Sequence, residues 1–244
     1  MKRRNKEYFG LCVMTTSLAA CGGGNGSNTS GTGTQYAFVP PVVNSSRVYS
    51  ETVVDNSNNT INGLGYMQTV VSVANGTITE QQQSTTNISA VNGTNYTVLD
   101  ENETYNSFGR ETAYTYTESN GVPVSCAYSP YAGGPTPPLT VGQTWQIDFT
   151  VACNANPAVH YSQTGSIVDV ESVTVPAGTF TALKWQVSTV WTDNNGTTRT
   201  QTTTDWIDTA SFHSVKESIS IVYSGTLPAN GYPVSREIEL QSTS

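Results

Sequence analysis

The chain has 244 residues, 18 acidic against 10 basic, and a formal net charge of −8. Beyond the first 20 residues its only cations are Arg47, Arg110, Lys184, Arg199, Lys216 and Arg236, scattered singly. A nucleic-acid ligand requires a basic stripe that releases counterions, so that class of partner is excluded, and anionic lipid headgroups would repel so acidic a domain.

The first element is a leader. Lys2, Arg3, Arg4 and Lys6 form a basic start, Leu11 to Ala20 a short apolar stretch diluted by Thr15, Thr16 and Ser17, and Leu18-Ala19-Ala20 a run of small residues before Cys21. The stretch is too short for a membrane helix, which needs about 20 mainly apolar residues. The sequence Leu18-Ala19-Ala20-Cys21, followed by Gly22-Gly23-Gly24, resembles the processing site of bacterial lipoproteins. The resemblance implies that residues 1–20 are a signal peptide, and that Cys21 becomes the first mature residue and carries acyl chains into the membrane. Each buried methylene contributes about 0.8 kcal/mol, so two or three chains anchor essentially permanently. In enterobacterial relatives an aspartate after the cysteine favours the inner membrane; Gly22 at that position implies the outer membrane, with the domain facing the periplasm. The alternative is an ordinary signal peptide whose cleavage site contains a cysteine. Removing Lys2, Arg3, Arg4, Lys6 and Glu7 with the leader takes the formal charge from −8 to −11.

Residues 21–35 follow as a tether. Gly22 to Thr34 holds only Gly, Asn, Ser and Thr, a composition that buries no apolar surface and behaves as a coil spanning about 20 Å. Residues 36–244 then read as a single β-rich domain, rich in Thr, Val, Tyr and Ser and without helical periodicity. The expected fold is all-β, with at most a minor helix: a curved antiparallel sheet, half-barrel or open barrel built from hairpins. Asn-Gly pairs at Asn62, Asn75, Asn92, Asn120, Asn195 and Asn230 suit type I′ turns, and the clearest hairpin is Met67 to Val73, Asn75-Gly76, then Thr77 to Thr85.

Tyr128 to Pro138, rich in Pro and Gly, reads as a linker between halves 36–127 and 139–244. Cys126 lies before it and Cys153 after it. With Cys12 removed and Cys21 acylated, these two are the only free thiols left, and in an exported chain a disulfide is the economical reading; two buried free cysteines are the alternative. Trp145, Ile147, Phe149 and Val151 alternate with polar neighbours, as do Leu183, Trp185, Val187 and Trp191. Thr198 to Thr204 has no apolar face and reads as an exposed or edge strand. Val234, Ile238 and Leu240 share a face with Arg236, which reads as a rim residue.

Val173-Thr174-Val175-Pro176-Ala177-Gly178-Thr179-Phe180-Thr181-Ala182-Leu183-Lys184 resembles a strand corner found in many uncharacterised bacterial envelope proteins. The likeness extends loosely from Leu139-Thr140-Val141-Gly142 and Trp145 to Asp205-Trp206 and Val215-Lys216-Glu217. It implies two long strands meeting at a corner in a curved antiparallel sheet, sometimes curled around an apolar groove as in periplasmic lipoprotein carriers. It implies no agreed chemistry.

No catalytic motif stands out. His160 and His213 lie far apart without metal-ligand spacing, the pattern G-x-S-x-G is absent, and Asp169 with Glu171 is explained by two solvated residues on one strand face. No metal or cofactor is expected. Trp145, Trp185, Trp191 and Trp206, with Tyr114 and Tyr116, are either core or the lining of a ligand groove, with Trp185, Trp191 and Trp206 the groove candidates. The chain therefore reads as a non-enzymatic, lipid-anchored envelope protein whose domain is an interaction or structural module. Its expected partners are the membrane, through the acyl chains, and another envelope protein. The alternatives are a carrier of a hydrophobic ligand, such as a lipid or lipoprotein acyl chain, and a hydrolase with dispersed carboxylates.

Overall fold

A computed structural model describes residues 33–85, 100–117, 121–154, 156–227 and 231–244; the expected leader, Cys21, most of the expected tether and the expected Asn92-Gly93 turn lie outside them. The β-branched and aromatic residues that alternate with polar ones form twelve strands. They are β1 (Ser46–Asp55), β2 (Thr60–Ala74), β3 (Thr77–Ser84), β4 (Glu101–Asn106), β5 (Glu111–Thr117) and β6 (Pro123–Ala132), then β7 (Thr144–Cys153), β8 (Val159–Val175), β9 (Gly178–Thr192), β10 (Thr197–Asp208), β11 (Ser214–Gly225) and β12 (Pro233–Thr243). Each is antiparallel to the next, and β12 returns to pair with β1 over Arg47 to Asp55. The expected curved antiparallel sheet thus closes fully into a barrel.

Closure changes several local readings. Asn75-Gly76, both at positive φ, turns β2 into β3 as expected, whereas Asn62-Gly63 lies inside β2, where the register with β1 slips. The Thr198 to Thr204 stretch is not an edge. It belongs to β10, paired along its length with both β9 and β11, because a closed barrel removes free edges. Tyr128 to Ala132, expected to resist pairing, continues β6 and rejoins β5 at Ala132 opposite Glu111; only residues 133–143 form a connection. The two halves are consecutive arcs of one sheet. The long β8–β9 hairpin turns at Pro176-Ala177, with Gly178 at positive φ. Its tip folds onto the far strands: Ala177 N–H donates to the Leu240 carbonyl, and Val173, Val175 and Phe180 pack with Tyr49, Tyr66 and Ile238.

The lumen is filled by the barrel's own side chains. One apolar cluster gathers Leu139, Ile167, Leu183, Trp185, Ile207 and Phe212, with Tyr36 and Phe38 of the entering chain packed on it. Another gathers Val124, Cys126, Tyr128, Phe149 and Val151. Cys126 and Cys153 are cross-strand partners on β6 and β7 and are joined by a disulfide, 27 residues apart in sequence. A loop of that length constrains the unfolded chain enough to stabilise the fold by roughly 3–4 kcal/mol. The double variant Cys126→Ser/Cys153→Ser is expected to lose about that much in urea denaturation. An unchanged midpoint and slope would contradict this assignment.

Candidate functional site

Between the apolar clusters the lumen carries a polar layer, built because charged residues occupy inward strand positions. On β2 and β3, Gln68 and Gln82 face each other, fully buried. Gln68 Nε2 donates to Glu103 Oε2 at 2.9 Å, Gln82 Nε2 to Glu101 Oε1 at 3.3 Å, and the Tyr105 hydroxyl to Glu103 Oε2 at 2.5 Å. Arg47 Nη2 lies 2.6 Å from Glu80 Oε2. Across the lumen, Asp205 and Glu217 are cross-strand partners, Ser214 Oγ donates to Asp205 Oδ1 at 2.6 Å, and Arg236 pairs with Glu51. Arg236 therefore does not sit at a rim in water; its apolar-face position puts it against a buried carboxylate.

Burial governs the protonation of these acids. Desolvation pushes the Glu103 carboxyl up to about 7, against the opposing pull of the Tyr105 and Gln68 hydrogen bonds and of Arg47. Glu101 is raised well above its ordinary value by burial and then by the charges of Glu103 and Glu111. Burial and Asp205 likewise raise Glu217. Two acids do converge at Glu101 and Glu103, but they are 3 % and 1 % exposed, inside the packed lumen rather than in a cleft. That arrangement makes hydrogen-bonded acids, not a water-fed glycosidase pair. Glu171, by contrast, accepts from Trp206 Nε1 at 2.5 Å and from Lys184, which together hold its carboxyl below the usual range. His213 is partly buried, and desolvation pushes it down to about 4.

The groove tryptophans do not meet. Trp185 is fully buried, edge-on to Trp145 with centroids 5.2 Å apart. Trp191, also on the lumen face of β9, stacks on Tyr161 at 5.3 Å and lies under the Arg199 guanidinium. Trp206 lies on the opposite face of β10 from Asp205, with the Lys184 ammonium over its ring. Packing, rather than a shared groove, accounts for all three positions.

A concave feature that sequence reasoning missed lies where β6 and β7 part. Their ladder covers only Cys126–Ser129 against Thr150–Cys153. Pro130 has no N–H to continue it, so Thr144 to Phe149 have a partner in β8 but none in β6. The wedge left between them is a slot of about 370 Å³ lined by Arg110 and Tyr131 on one side, residues 134–136 behind, and residues 143–147 on the other. Arg110 is 9 % exposed; its guanidinium lies 4.5 Å from the Tyr131 ring centroid and Nη2 donates to Thr136 Oγ1 at 2.9 Å. Desolvation lowers its pKa, partly offset by Tyr131. Gly134 forms the back wall because a side chain there would strike Trp185: a Cβ would stand 2.3 Å from that ring. Nothing in the local sequence around Arg110 signals the slot, since it depends on a turn and two strands brought together by closure.

No protein-family model matches the chain, and no curated protein is similar to it. Among solved structures, a Bacteroides fragilis protein described as exported and as having a YmcC-like fold has a TM-score of 0.51 at 10 % identity, over 86 % of this chain and 99 % of that one. That likeness concerns the fold alone. A Parabacteroides distasonis protein described as a lipoprotein has a TM-score of 0.46 at 11 % identity, over 84 % of this chain and 97 % of that one. The hypothetical lipoprotein YmcC of Escherichia coli has 0.38 at 11 %, over 80 % and 83 %.

The buried acids give a testable pH dependence. A carboxyl whose folded pKa exceeds its ordinary 4.5 keeps its proton in the folded state where the unfolded chain has lost it. Stability therefore falls as pH rises from about 4.5 through about 7. Glu103→Gln mimics the protonated acid and should abolish about 2 kcal/mol of the loss seen between pH 5 and pH 8. Urea denaturation of both proteins at the two pH values measures it; parallel losses would show that Glu103 ionises freely.

Proposed function

We propose that the chain is a non-enzymatic, lipid-anchored module of the bacterial cell envelope, held at the outer membrane by acyl chains on Cys21 and interacting with another envelope component on the periplasmic side. The observation that carries this reading is a closed barrel whose lumen its own side chains occupy. Trp185, Tyr49, Tyr66, Tyr105 and Phe149 are each almost completely buried in it. An acyl chain would need that space open, which weighs against the carrier reading. A hydrolase would need its acids to meet water, and the converging acids are sealed.

The outer face supports a peripheral rather than a membrane-spanning barrel. Transmembrane barrels carry an apolar belt outside and polar residues within. Here Thr198, Thr200, Thr202 and Thr204 of β10 and the Lys216–Glu239 ion pair lie on the outer face, while the apolar clusters lie within. No helix among the described residues is long and apolar enough to cross a membrane. The lipid on Cys21 then serves as the attachment.

Fractionation tests the anchor. A Cys21→Ala variant is expected to leave the outer-membrane fraction, either as a soluble periplasmic protein or as an uncleaved precursor in the inner membrane. Its recovery in the outer-membrane fraction at wild-type levels would overturn the proposal.

A further inference from the structure

The charge inventory singles out one residue. From Gly33 onward the chain has six cations, and five are matched with a carboxylate: Arg47 with Glu80, Lys184 with Glu171, Arg199 with Asp193, Lys216 with Glu239 and Arg236 with Glu51. Arg110 alone among the described residues is a cation with no ion pair, in a protein with 18 acidic residues to choose from. It is also nine-tenths buried. Removing a guanidinium from water without a counter-charge is costly, and an anion bound beside it would supply that charge.

The surroundings of Arg110 are those of a receptor for a counter-charge. Its Nε has no hydrogen-bond partner, and Arg110 and Trp145 line the same cavity. The Tyr131 ring lies against the guanidinium and positions it. Thr136 fixes the Nη2 corner, and is itself held because Gln143 Nε2 donates to its carbonyl at 2.9 Å. Trp145, Ile147 and Pro135 add apolar wall.

We infer that this slot binds a small organic monocarboxylate, with the carboxylate on Arg110 and its ring or apolar body against Trp145, Ile147 and Pro135. The planar guanidinium fork matches a carboxylate. One guanidinium neutralises one charge. A doubly charged phosphate would leave a negative charge uncompensated in a chain already at −8, so the monoanion is the matched ligand. The volume of about 370 Å³ suits a ligand of one ring rather than a polymer or an acyl chain. This site is independent of the anchor, and binding here would stand or fall whether or not Cys21 is acylated.

Benzoate is the probe, benzamide its neutral counterpart and inorganic phosphate the competing anion. Full-length protein in detergent micelles, labelled with 5-fluorotryptophan and assigned with Trp145→Phe, reports the site by fluorine NMR, with calorimetry for affinity. Saturable binding of benzoate with a shift of the Trp145 resonance is expected, and at least tenfold weaker response to benzamide and to phosphate. Arg110→Gln should weaken benzoate binding about tenfold or more, the loss of a charged hydrogen-bonded pair. If that variant does not fold, Gln146→Glu decides: it is a near-isosteric change at an exposed lining residue, and its carboxylate should repel benzoate and weaken it severalfold. No saturable response to about 50 mM benzoate, equal binding of benzamide or phosphate, or undiminished binding by a folded Arg110→Gln protein would each overturn the site.

Discussion

The pairing of β12 with β1 is the constraint on which the rest of the molecule depends. Once that ladder forms, the barrel has an inside, and each strand must commit alternate residues to it. The inside is occupied by the barrel's own side chains, with the β8–β9 tip packed against them, so whatever faces inward must be packed and hydrogen-bonded. Apolar residues satisfy this by area. The Glu, Gln and Arg residues satisfy it only in sets, which is why Gln68, Glu103 and Tyr105 form one network and Asp205 and Ser214 another.

This polar layer also explains how so acidic a chain distributes its few cations. A carboxylate inside the barrel is tolerated if it is paired with an arginine or holds its proton. Arg47 and Arg236 serve Glu80 and Glu51, and the remaining acids Glu101, Glu103 and Glu217 shift toward the neutral form. The two solutions differ in consequence. Ion pairs are indifferent to pH near neutrality, whereas the protonated acids weaken the fold as they ionise. A barrel of this kind therefore has its pH response set in its core rather than on its surface.

Features governed by neighbouring residues were legible in the sequence. The alternation of Trp145, Ile147, Phe149 and Val151 names the buried face of β7, Asn75-Gly76 names a hairpin, and the cysteine inventory leads to the Cys126–Cys153 bond. Features governed by closure were not. Thr198 to Thr204 looks like an edge because its alternation is polar on both faces, yet β9 and β11 pair with it on both sides. Glu101 and Glu103 alternate with Asn and Thr, a pattern that fits either face of a strand, and nothing local reveals which face is wet. Arg110 is the extreme case, since its environment comes from residues 21 or more positions away.

The slot is the place where the closing constraint relaxes. Pro130 stops the β6–β7 ladder, the disulfide at Cys126–Cys153 and the pairs up to Ser129 hold the two strands together beyond that point, and the strands splay toward the other end. In an up-and-down barrel the connections alternate between ends, so the β4–β5 turn with Arg110, the connection over 133–143 and the chain entry all lie at one end. Tyr36 makes this concrete by pairing with Leu139 through two backbone hydrogen bonds of 2.9 and 2.8 Å. The segment that enters the barrel before β1 is thus built into the same connection that frames the slot. The opening in the sheet and the entry of the chain therefore share one structural element, which distinguishes this end of the barrel from the other.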